Sequence, residues 1–511
     1  MTKNEKQHIS NTRTKRAKLN IVFSLLGQFV ALICGFIVPR LLIKTFGSEA
    51  YGATASILQF LSYIVLLEGG IGGVARAALY KPLAEKNYFE ITEILNETKF
   101  LFKMIGYAFA VYVLVIACSF KEISHFQYYD WFSTFILVIV ISSSIFMQYF
   151  LGISYAILLQ ADQKSYIPRI INTSTLVLST ILVVILVSCG CGLITIKFIS
   201  ALIFICRPII MYLYVHQYYP LAQNCTRNKN ALSQKWSGLG QHLAFFFHSN
   251  TDVVILTLFT NLKIVAVYAI YNMVVSHVQE IITSFTTGME ALFGDMLARK
   301  EISKLNRVFG YYETLISLIA LPFFSVTILL IISFVRLYIG NVTDVNYIRP
   351  FFAVILILSA LIYCLRSPYH SVTIAAGHFK QTQIAAYGEA IINVGLSIVL
   401  VHRLGLLGVA VGTLIAVSFR FLYYVFYLSH TLLDRPVKLF VKRAIINTIN
   451  IFLICFIGYI LLSKYDITNY LRWVIAGVAL TGMAVIISLG FSYVYYREDF
   501  KSIFKHIKFK F

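Results

Sequence analysis

Charged residues are scarce in this chain: Asp, Glu, Lys and Arg make up 13% of its 511 residues, while 59% of the residues are apolar. No polar stretch is long enough for a soluble domain, and the longest candidate, residues 219–241, is a linker. A helix of roughly 20 apolar residues spans a bilayer, and such stretches recur about fourteen times here. They are apolar all round instead of alternating, which argues against a transmembrane β-barrel. The sequence therefore predicts an all-α polytopic membrane protein.

Signals of catalysis are also missing. The sequence has no HExxH zinc motif, no Walker loop and no paired carboxylates on one loop. A membrane glycan polymerase or ligase would be expected to carry a large outward loop, and the longest ones here, about 119–131 and 335–349, are short. The sequence favours a transporter over an enzyme. It predicts no metal site and no bound cofactor, and leaves coupling to H⁺ or Na⁺ open.

Acidic residues number only 22 against 43 Lys and Arg, which gives a net charge of +21. Such an excess invites a nucleic-acid interpretation, but the basic residues lie between the apolar runs, where positive charge orients membrane helices. We therefore predict no nucleic-acid partner, cytoplasmic termini and an even number of spans. The first span is too long for a signal peptide and is expected to be retained. The basic segments are 3–18, 81–86, 227–235, 299–307, 435–443 and 497–510.

An internal repeat organises the apolar runs. The motif ALY at residues 78–80 recurs as ALF at 291–293, and a Gly-Leu pair precedes both Arg207 and Arg420 by fifteen residues. Both matches share an offset of 213 residues. We therefore predict two six-helix lobes related by an axis along the membrane normal. The predicted parts are an N-lobe (1–225, helices 1–6), a C-lobe (226–432, helices 7–12), and two extra helices with a basic tail (433–511).

The predicted spans follow this division. Those of the first copy are about 20–43, 50–78, 99–119, 132–159, 168–188 and 195–216. Those of the second copy are about 240–259, 264–290, 311–334, 350–376, 382–402 and 405–429. The two spans without a repeat partner are about 442–463 and 471–496.

Three local motifs carry a family resemblance: LLEGGIGGVARAALY (66–80), LLQADQKSYIPRI (158–170) and NTDVVILTLFTNLKIVAVYAIYN (250–272). Over nearly its whole length the chain resembles the polysaccharide-transporter (Wzx-type flippase) branch of the MOP/MATE exporter superfamily. The resemblance implies a flippase for polysaccharide biosynthesis in the bacterial cytoplasmic (inner) membrane. It would move undecaprenyl-pyrophosphate-linked oligosaccharide by alternating access, among membrane lipids and beside polysaccharide polymerase machinery. The alternatives are a cation-coupled MATE-like multidrug exporter and a membrane glycan polymerase or ligase.

Four arginines within the predicted spans are candidate substrate-binding cations: Arg76, Arg207, Arg366 and Arg420. A charge inside a bilayer is costly, and the guanidinium fork matches phosphate oxygens, so these residues could hold a pyrophosphate headgroup. The alternative is that they snorkel to the interface or pair with helix carbonyls. MATE members of the superfamily often place a carboxylate in the first helix, whereas the first span here has none, which favours an anionic cargo. Lipid II flippases tend to carry arginines in that helix, and this chain has only Arg40 near its end.

Intramembrane acids and histidines form a second candidate group, for ion coupling or for a structural polar network. A His–carboxylate cluster in a membrane can relay protons. The acid at residue 68 lies eight residues before Arg76, so the two are predicted to share one face of a helix. The group consists of Glu68, His248, Asp252, His277, Glu280 and Glu389.

Overall fold

The computed structural model of the chain describes residues 3–500, apart from 69, 223–224, 226, 228–249, 287–288 and 434. Regular structure in these residues is helical throughout, without a strand. The helices of the first repeat copy are α1 (Lys3–Ser62), α2 (Val65–Glu68), α3 (Ile71–Glu85), α4 (Tyr88–Ser124), α5 (Trp131–Met147), α6 (Ile153–Ala161), α7 (Tyr166–Ser188) and α8 (Leu193–Tyr218).

The second copy repeats this order, and two helices follow it. Its helices are α9 (Asn250–Phe259), α10 (Leu262–Ser284), α11 (Met289–Ala298), α12 (Ile302–Ile339), α13 (Pro350–Ala375), α14 (Phe379–Leu404) and α15 (Leu406–Thr431). The last two are α16 (Val437–Ser463) and α17 (Tyr470–Tyr495).

Twelve helical segments among the described residues are long and apolar enough to cross a membrane. One of them, Lys18–Glu68, has 51 residues, about twice the length that one crossing needs. Gly47 interrupts its helical path with φ 82° and ψ 170°, a conformation open essentially to glycine alone. A shorter apolar helix, Asn250–Phe259, is the described part of another predicted span. The prediction of an all-α polytopic membrane protein is confirmed, and these two features reconcile twelve segments with fourteen predicted spans.

The predicted continuous span 50–78 is wrong. The chain leaves α1 after Ser62, forms the single turn α2, and starts α3 only at Ile71. Four glycines fall between positions 69 and 73, and each costs a helix about 1 kcal/mol relative to alanine. Glu68 and Arg76 therefore lie on different helices, and the prediction that they share one helical face is also wrong. The second copy breaks at the corresponding place, between Ser284 and Met289.

The two copies agree in helix order and length. Helices α4 and α12 have 37 and 38 residues. The starts of α7 and α14 are 213 residues apart, as are those of α8 and α15, which is the offset found in the sequence. One local difference is a π-helical turn, Gln148–Gly152, between α5 and α6. The element order thus agrees with the internal repeat.

Two compact units divide the chain. The N-terminal unit contains Met1–Phe246 and Asn261–Ala266, and the C-terminal unit contains Phe247–Thr260 and Val267–Phe511. Large apolar side chains are exposed on both units, as expected where helices face lipid. On the last two helices, for example, Phe452 and Val478 are each 71% exposed.

Within the C-terminal unit, α14 and α15 pack closely because α15 carries glycine where the helices meet. A Cβ added at Gly408 would lie 2.4 Å from the carbonyl oxygen of Leu400, and one at Gly412 would lie 2.5 Å from the Ser397 hydroxyl. Two glycines four residues apart let helix backbones approach closely in membranes. This approach places the polar residues of α14 directly against α15.

Candidate functional site

One face of α14 carries three polar side chains at a spacing of four residues. Glu389, Asn393 and Ser397 are each 0% exposed. Residues four apart in an α-helix lie on the same side, one above the other, so the three form a polar stripe inside the C-terminal unit. The stripe explains why α14 is buried on one side without being apolar there.

The Glu389 carboxylate holds two of the predicted cations at once. Arg366 of α13 contacts one oxygen at 2.7 Å, and Arg420 of α15 contacts the other at 2.5 Å. Both arginines are buried, with 4% and 7% exposure. Arg420 also donates two hydrogen bonds to the Tyr424 hydroxyl, at 3.0 and 3.2 Å. Two guanidinium groups and one carboxylate leave the cluster with a net charge of +1 instead of +2.

Asp252 lies in a second part of the same polar interior. The hydroxyl of Tyr268 donates to its carboxylate at 3.0 Å, and the hydroxyl of Thr413 is 3.1 Å from each of its oxygens. The Asn393 amide is 3.4 Å from the Thr413 hydroxyl. This chain of contacts joins α9, α10, α15 and α14, and it connects Asp252 with the helix that carries Glu389.

The structure separates the predicted His–carboxylate cluster. His277 and Glu280 approach each other at 3.5 Å on α10, where the Glu280 side chain is 67% exposed. The hydroxyl partner of Asp252 on that helix, Tyr268, lies nine residues earlier, or about 13 Å along the axis. His248 falls outside the described residues. The described contacts of Asp252 are therefore to hydroxyl groups.

In the N-terminal unit, the predicted residues occupy separate places. The Tyr149 hydroxyl donates to the Glu68 carboxylate, so this acid meets an uncharged partner from the π-helical turn. Arg76 lies on α3 and is partly exposed. These two residues therefore form no pair that the structure records.

Arg207 differs from its repeat partner in its neighbours. Its Nε donates to the Thr175 hydroxyl at 2.7 Å, and one terminal nitrogen lies 3.5 Å from the Asn172 carbonyl oxygen. Its guanidinium also stacks 4.0 Å from the centre of the Phe204 ring. Within the described residues it has no carboxylate partner. Arg207 thus keeps a full positive charge inside α8, whereas Arg420 shares an acid.

The C-terminal unit also contains a buried charge cluster that the sequence did not reveal, reached from Tyr369, three residues after Arg366 on α13. Glu313 of α12 pairs with Arg435 at 2.7 Å and with Arg443 of α16 at 3.2 Å, and it accepts a hydrogen bond from the Tyr369 hydroxyl at 2.6 Å. Arg443 also contacts Asp499 beyond α17. In the sequence these arginines count only as orienting charges between spans. Their pairing with an acid distant in sequence ties α16 and the segment after α17 to α12.

A second cluster outside the spans centres on Asp162, in one of the three family motifs. Arg16 of α1 is 3.1 Å from this carboxylate, Lys164 is 2.7 Å away, and the Tyr219 hydroxyl donates to it at 2.5 Å. Burial and this hydrogen bond raise the pKa of Tyr219. The cluster fixes the ends of α1, α6 and α8 to one another.

No protein-family model and no curated protein matches the chain by sequence. Solved structures do match. The inward closed conformation of the lipid II flippase MurJ is 18% identical with a TM-score of 0.70, covering 94% of this chain and 99% of that one. The chain folds like a MOP-superfamily transporter. An inward-facing multidrug resistance MATE transporter of that superfamily has a TM-score of 0.60 at 14% identity, and the match covers 81% of this chain and 98% of that one. The Vibrio cholerae MATE transporter VcmN has a TM-score of 0.53 at 18% identity, and the match covers 83% of this chain and 100% of that one.

These comparisons show the fold alone, because every sequence identity is below one fifth. They agree with the predicted superfamily and with a multi-pass membrane protein whose structural neighbours are transporters. They do not single out its polysaccharide-transporter branch.

Proposed function

We propose that this protein is a flippase that moves undecaprenyl-pyrophosphate-linked oligosaccharide across the bacterial cytoplasmic membrane by alternating access. The structural likeness to MurJ supports a lipid-linked cargo, because it extends over 94% of the chain, against 81% for the multidrug transporter. The difference is about the length of two membrane helices, which is what the two helices after the repeat add. The sequence motifs favour an oligosaccharide as the carried group.

The single observation that carries the proposal is the state of Arg207. A half-buried guanidinium in the middle of a membrane helix, hydrogen-bonded only to neutral groups, retains donors and charge for an anion. A pyrophosphate offers oxygens that match the guanidinium fork. Arg366 and Arg420 are already bound to Glu389, so we place them second, as cations that become available only when that acid is released or protonated. Arg76, partly exposed on α3, is the remaining candidate.

Flipping by the purified protein tests this proposal. In proteoliposomes, fluorescent undecaprenyl-pyrophosphate-linked oligosaccharide should become accessible to a membrane-impermeant quencher faster than in empty vesicles. Arg207→Ala should slow flipping by about tenfold to a hundredfold, the value of one charge-assisted contact of roughly 1.5–3 kcal/mol. Arg207→Lys should be partly active, since it keeps the charge but loses the fork.

The matched control is Arg403→Ala, which removes an exposed arginine at the end of α14 and should leave the rate unchanged. A protein that leaves the labelled lipid in place while extruding cationic dyes would be a MATE-like exporter instead. A change in glycan length during the assay would identify a polymerase or ligase.

We further propose that Asp252 couples transport to H⁺ or Na⁺. Its carboxylate is 7% exposed and lies among the hydroxyls of Tyr268 and Thr413, with the Asn393 amide next to them. A buried carboxylate surrounded by neutral oxygens can take up either a proton or a hard cation. Either event would remove its negative charge from the polar interior that α14 shares with Glu389.

Asp252→Asn should keep expression and folding but weaken the dependence of flipping on an imposed gradient. Initial rates with and without a proton gradient, and with and without a sodium gradient, identify the ion. Glu280→Gln, which alters an exposed acid on α10, is the control and should retain full gradient dependence. Undiminished gradient-driven transport by the Asp252 variant would refute the coupling role.

A further inference from the structure

A cavity of about 370 Å³ lies within the N-terminal unit, bounded by α1, α5, α7 and α8. Its volume falls in the range of small-molecule sites. Most of the wall is apolar, and the polar residues that line it include Cys34, Ser144, Ser179, Thr180, Lys197 and Ser200. Lys197 is the one formally charged residue among those that line it.

The Lys197 ammonium has no partner in the described part of the chain. It makes neither an ion pair nor a side-chain hydrogen bond there, although it lies four residues inside the membrane helix α8. Lys197 is partly exposed, and charges inside membrane helices are normally paired or functional. The neighbouring Thr180 hydroxyl is directed to the Leu176 carbonyl oxygen at 2.9 Å, which leaves its lone pairs for other donors. The cavity therefore contains an ammonium donor without an acceptor.

Comparison with the second copy shows what this cavity lacks. The offset of 213 residues places Lys197 at the position of Ala410, which is 0% exposed on α15. In the C-terminal unit, α14 and α15 carry a buried acid and its polar neighbours at the equivalent positions. The cavity residues Leu176, Thr180 and Ser200 occupy the positions of Glu389, Asn393 and Thr413. The second copy thus contains a buried acid, Glu389, whereas the first copy has Lys197 lining a cavity.

We infer that this cavity is an anion-binding site that takes a single carboxylate group, with Lys197 as its counter-ion. One ammonium compensates one negative charge, which favours a monovalent carboxylate over a phosphate ester carrying nearly two charges. Arg207 adds nothing here, since it lies ten residues further along α8, about 15 Å, with hydrogen bonds of its own. The carboxylate can belong to an acidic sugar of a carried glycan or to a small free acid. The site goes beyond the proposed headgroup contact at Arg207 and does not depend on it.

The native thiol of Cys34 permits a direct measurement of charge in the cavity. In a full-length protein whose other seven cysteines are replaced by serine or alanine, Cys34 should react faster with an anionic methanethiosulfonate than with a cationic one of similar size. Lys197→Gln should lower this preference by at least about tenfold, because Lys197 and Cys34 line the same cavity and a nearby unit charge acts strongly at an effective dielectric of ~20. Cys34→Ala in the same background shows how much labelling occurs elsewhere.

Binding is measured on the purified protein by its thermal unfolding temperature, since a ligand that binds only the folded state stabilises it. Sodium glucuronate should raise this temperature by several degrees, whereas glucose should not. Acetate as effective as glucuronate would assign the site to free acids, and an effect of glucuronate alone would assign it to acidic sugars. Lys197→Arg should keep the effect.

Lys197→Gln should fold at least as well as the original protein, because it removes an unpaired charge, and should show no carboxylate effect. Lys103→Gln is the matched control: this lysine is exposed on α4, over the Phe150 ring at 5.0 Å, and its variant should respond like the original protein. Persistence of the glucuronate effect in Lys197→Gln would overturn the inference. So would equal labelling of Cys34 by both reagents in the original protein.

Discussion

At the residue scale, Glu389 determines what Arg366 and Arg420 can do. Each guanidinium contacts a different oxygen of this carboxylate, and all three side chains are buried. An anionic cargo would have to compete with an internal acid for both cations. The sequence predicts these arginines as cargo ligands from their depth alone, and the acid that pairs with them lies on another helix, 23 residues from Arg366 and 31 residues from Arg420.

Glu389→Gln should therefore destabilise the protein more than either arginine substitution. The variant leaves two buried guanidinium groups without a carboxylate, and breaking a buried ion pair from one side costs about 3–5 kcal/mol. Arg366→Gln should cost less, since it leaves Glu389 paired with Arg420 and the pair neutral. Thermal unfolding in detergent measures the order, with the exposed Glu280→Gln as a control. Equal unfolding temperatures for the two buried variants would contradict the argument.

Sequence reasoning located the intramembrane charges but not their partners. Arg207 and Arg420 occupy equivalent positions, yet the acid near Arg420 has Leu176 at its place in the first copy, so the two arginines acquire different neighbours. Glu313 and Lys197 were missed for opposite reasons. The first is paired with arginines that look like loop charges, and the second is a single lysine near a helix start. In both cases the surroundings of the side chain depend on how the helices pack against one another, which hydrophobic periodicity does not contain.

At the element scale, the close approach of α14 and α15 depends on glycine. The Cβ of an alanine at Gly408 would lie 2.4 Å from a backbone oxygen of Leu400, and backbone cannot rotate away as a side chain can. The helices would have to separate, which would weaken the contacts of Thr413 and Arg420 across the interface.

Gly408→Ala should consequently lower the unfolding temperature by several degrees, even though alanine favours helix by about 1 kcal/mol. Gly395→Ala is the matched control, because it lies on α14 with nothing within 4 Å of the added Cβ. It should leave the unfolding temperature unchanged or raise it slightly. A Gly408 variant as stable as the Gly395 variant would show that the interface is looser than described.

The helices were predicted well where apolar runs are unbroken and poorly where glycine interrupts them. The start predicted for α13 coincides with the structure at Pro350, and α8 was placed within a few residues of its ends. The span 50–78 failed because a hydropathy run does not register the turn between α2 and α3. That break recurs before α11, so aligning the two copies with attention to glycine would have revealed it.

At the scale of the whole molecule, the repeat gives two units of similar helix order and different charge. The C-terminal unit encloses Asp252 and Glu389 in a network of hydroxyls and arginines, whereas Arg207 and Lys197 of the N-terminal unit have no carboxylate partner among the described residues. The two units share one helix order, and different residues at equivalent positions give each unit its own buried charges. This asymmetry suits a carrier that binds an anion on one unit and exchanges a coupling cation on the other, the division of labour that we propose.

The orientation of this frame in the membrane follows from charge. Arg299, Lys300, Lys304 and Arg307 cluster around the start of α12, and positive charge favours the cytoplasmic side. At 38 residues, α12 is about 57 Å long, enough to cross the bilayer and emerge on the other face.

Single cysteines at Ser303 and Asn341, both exposed, therefore report opposite sides. In a cysteine-free background, Asn341→Cys should react with an impermeant maleimide in intact cells, and Ser303→Cys only after permeabilisation. The reverse pattern would invert the topology and place every basic loop outside.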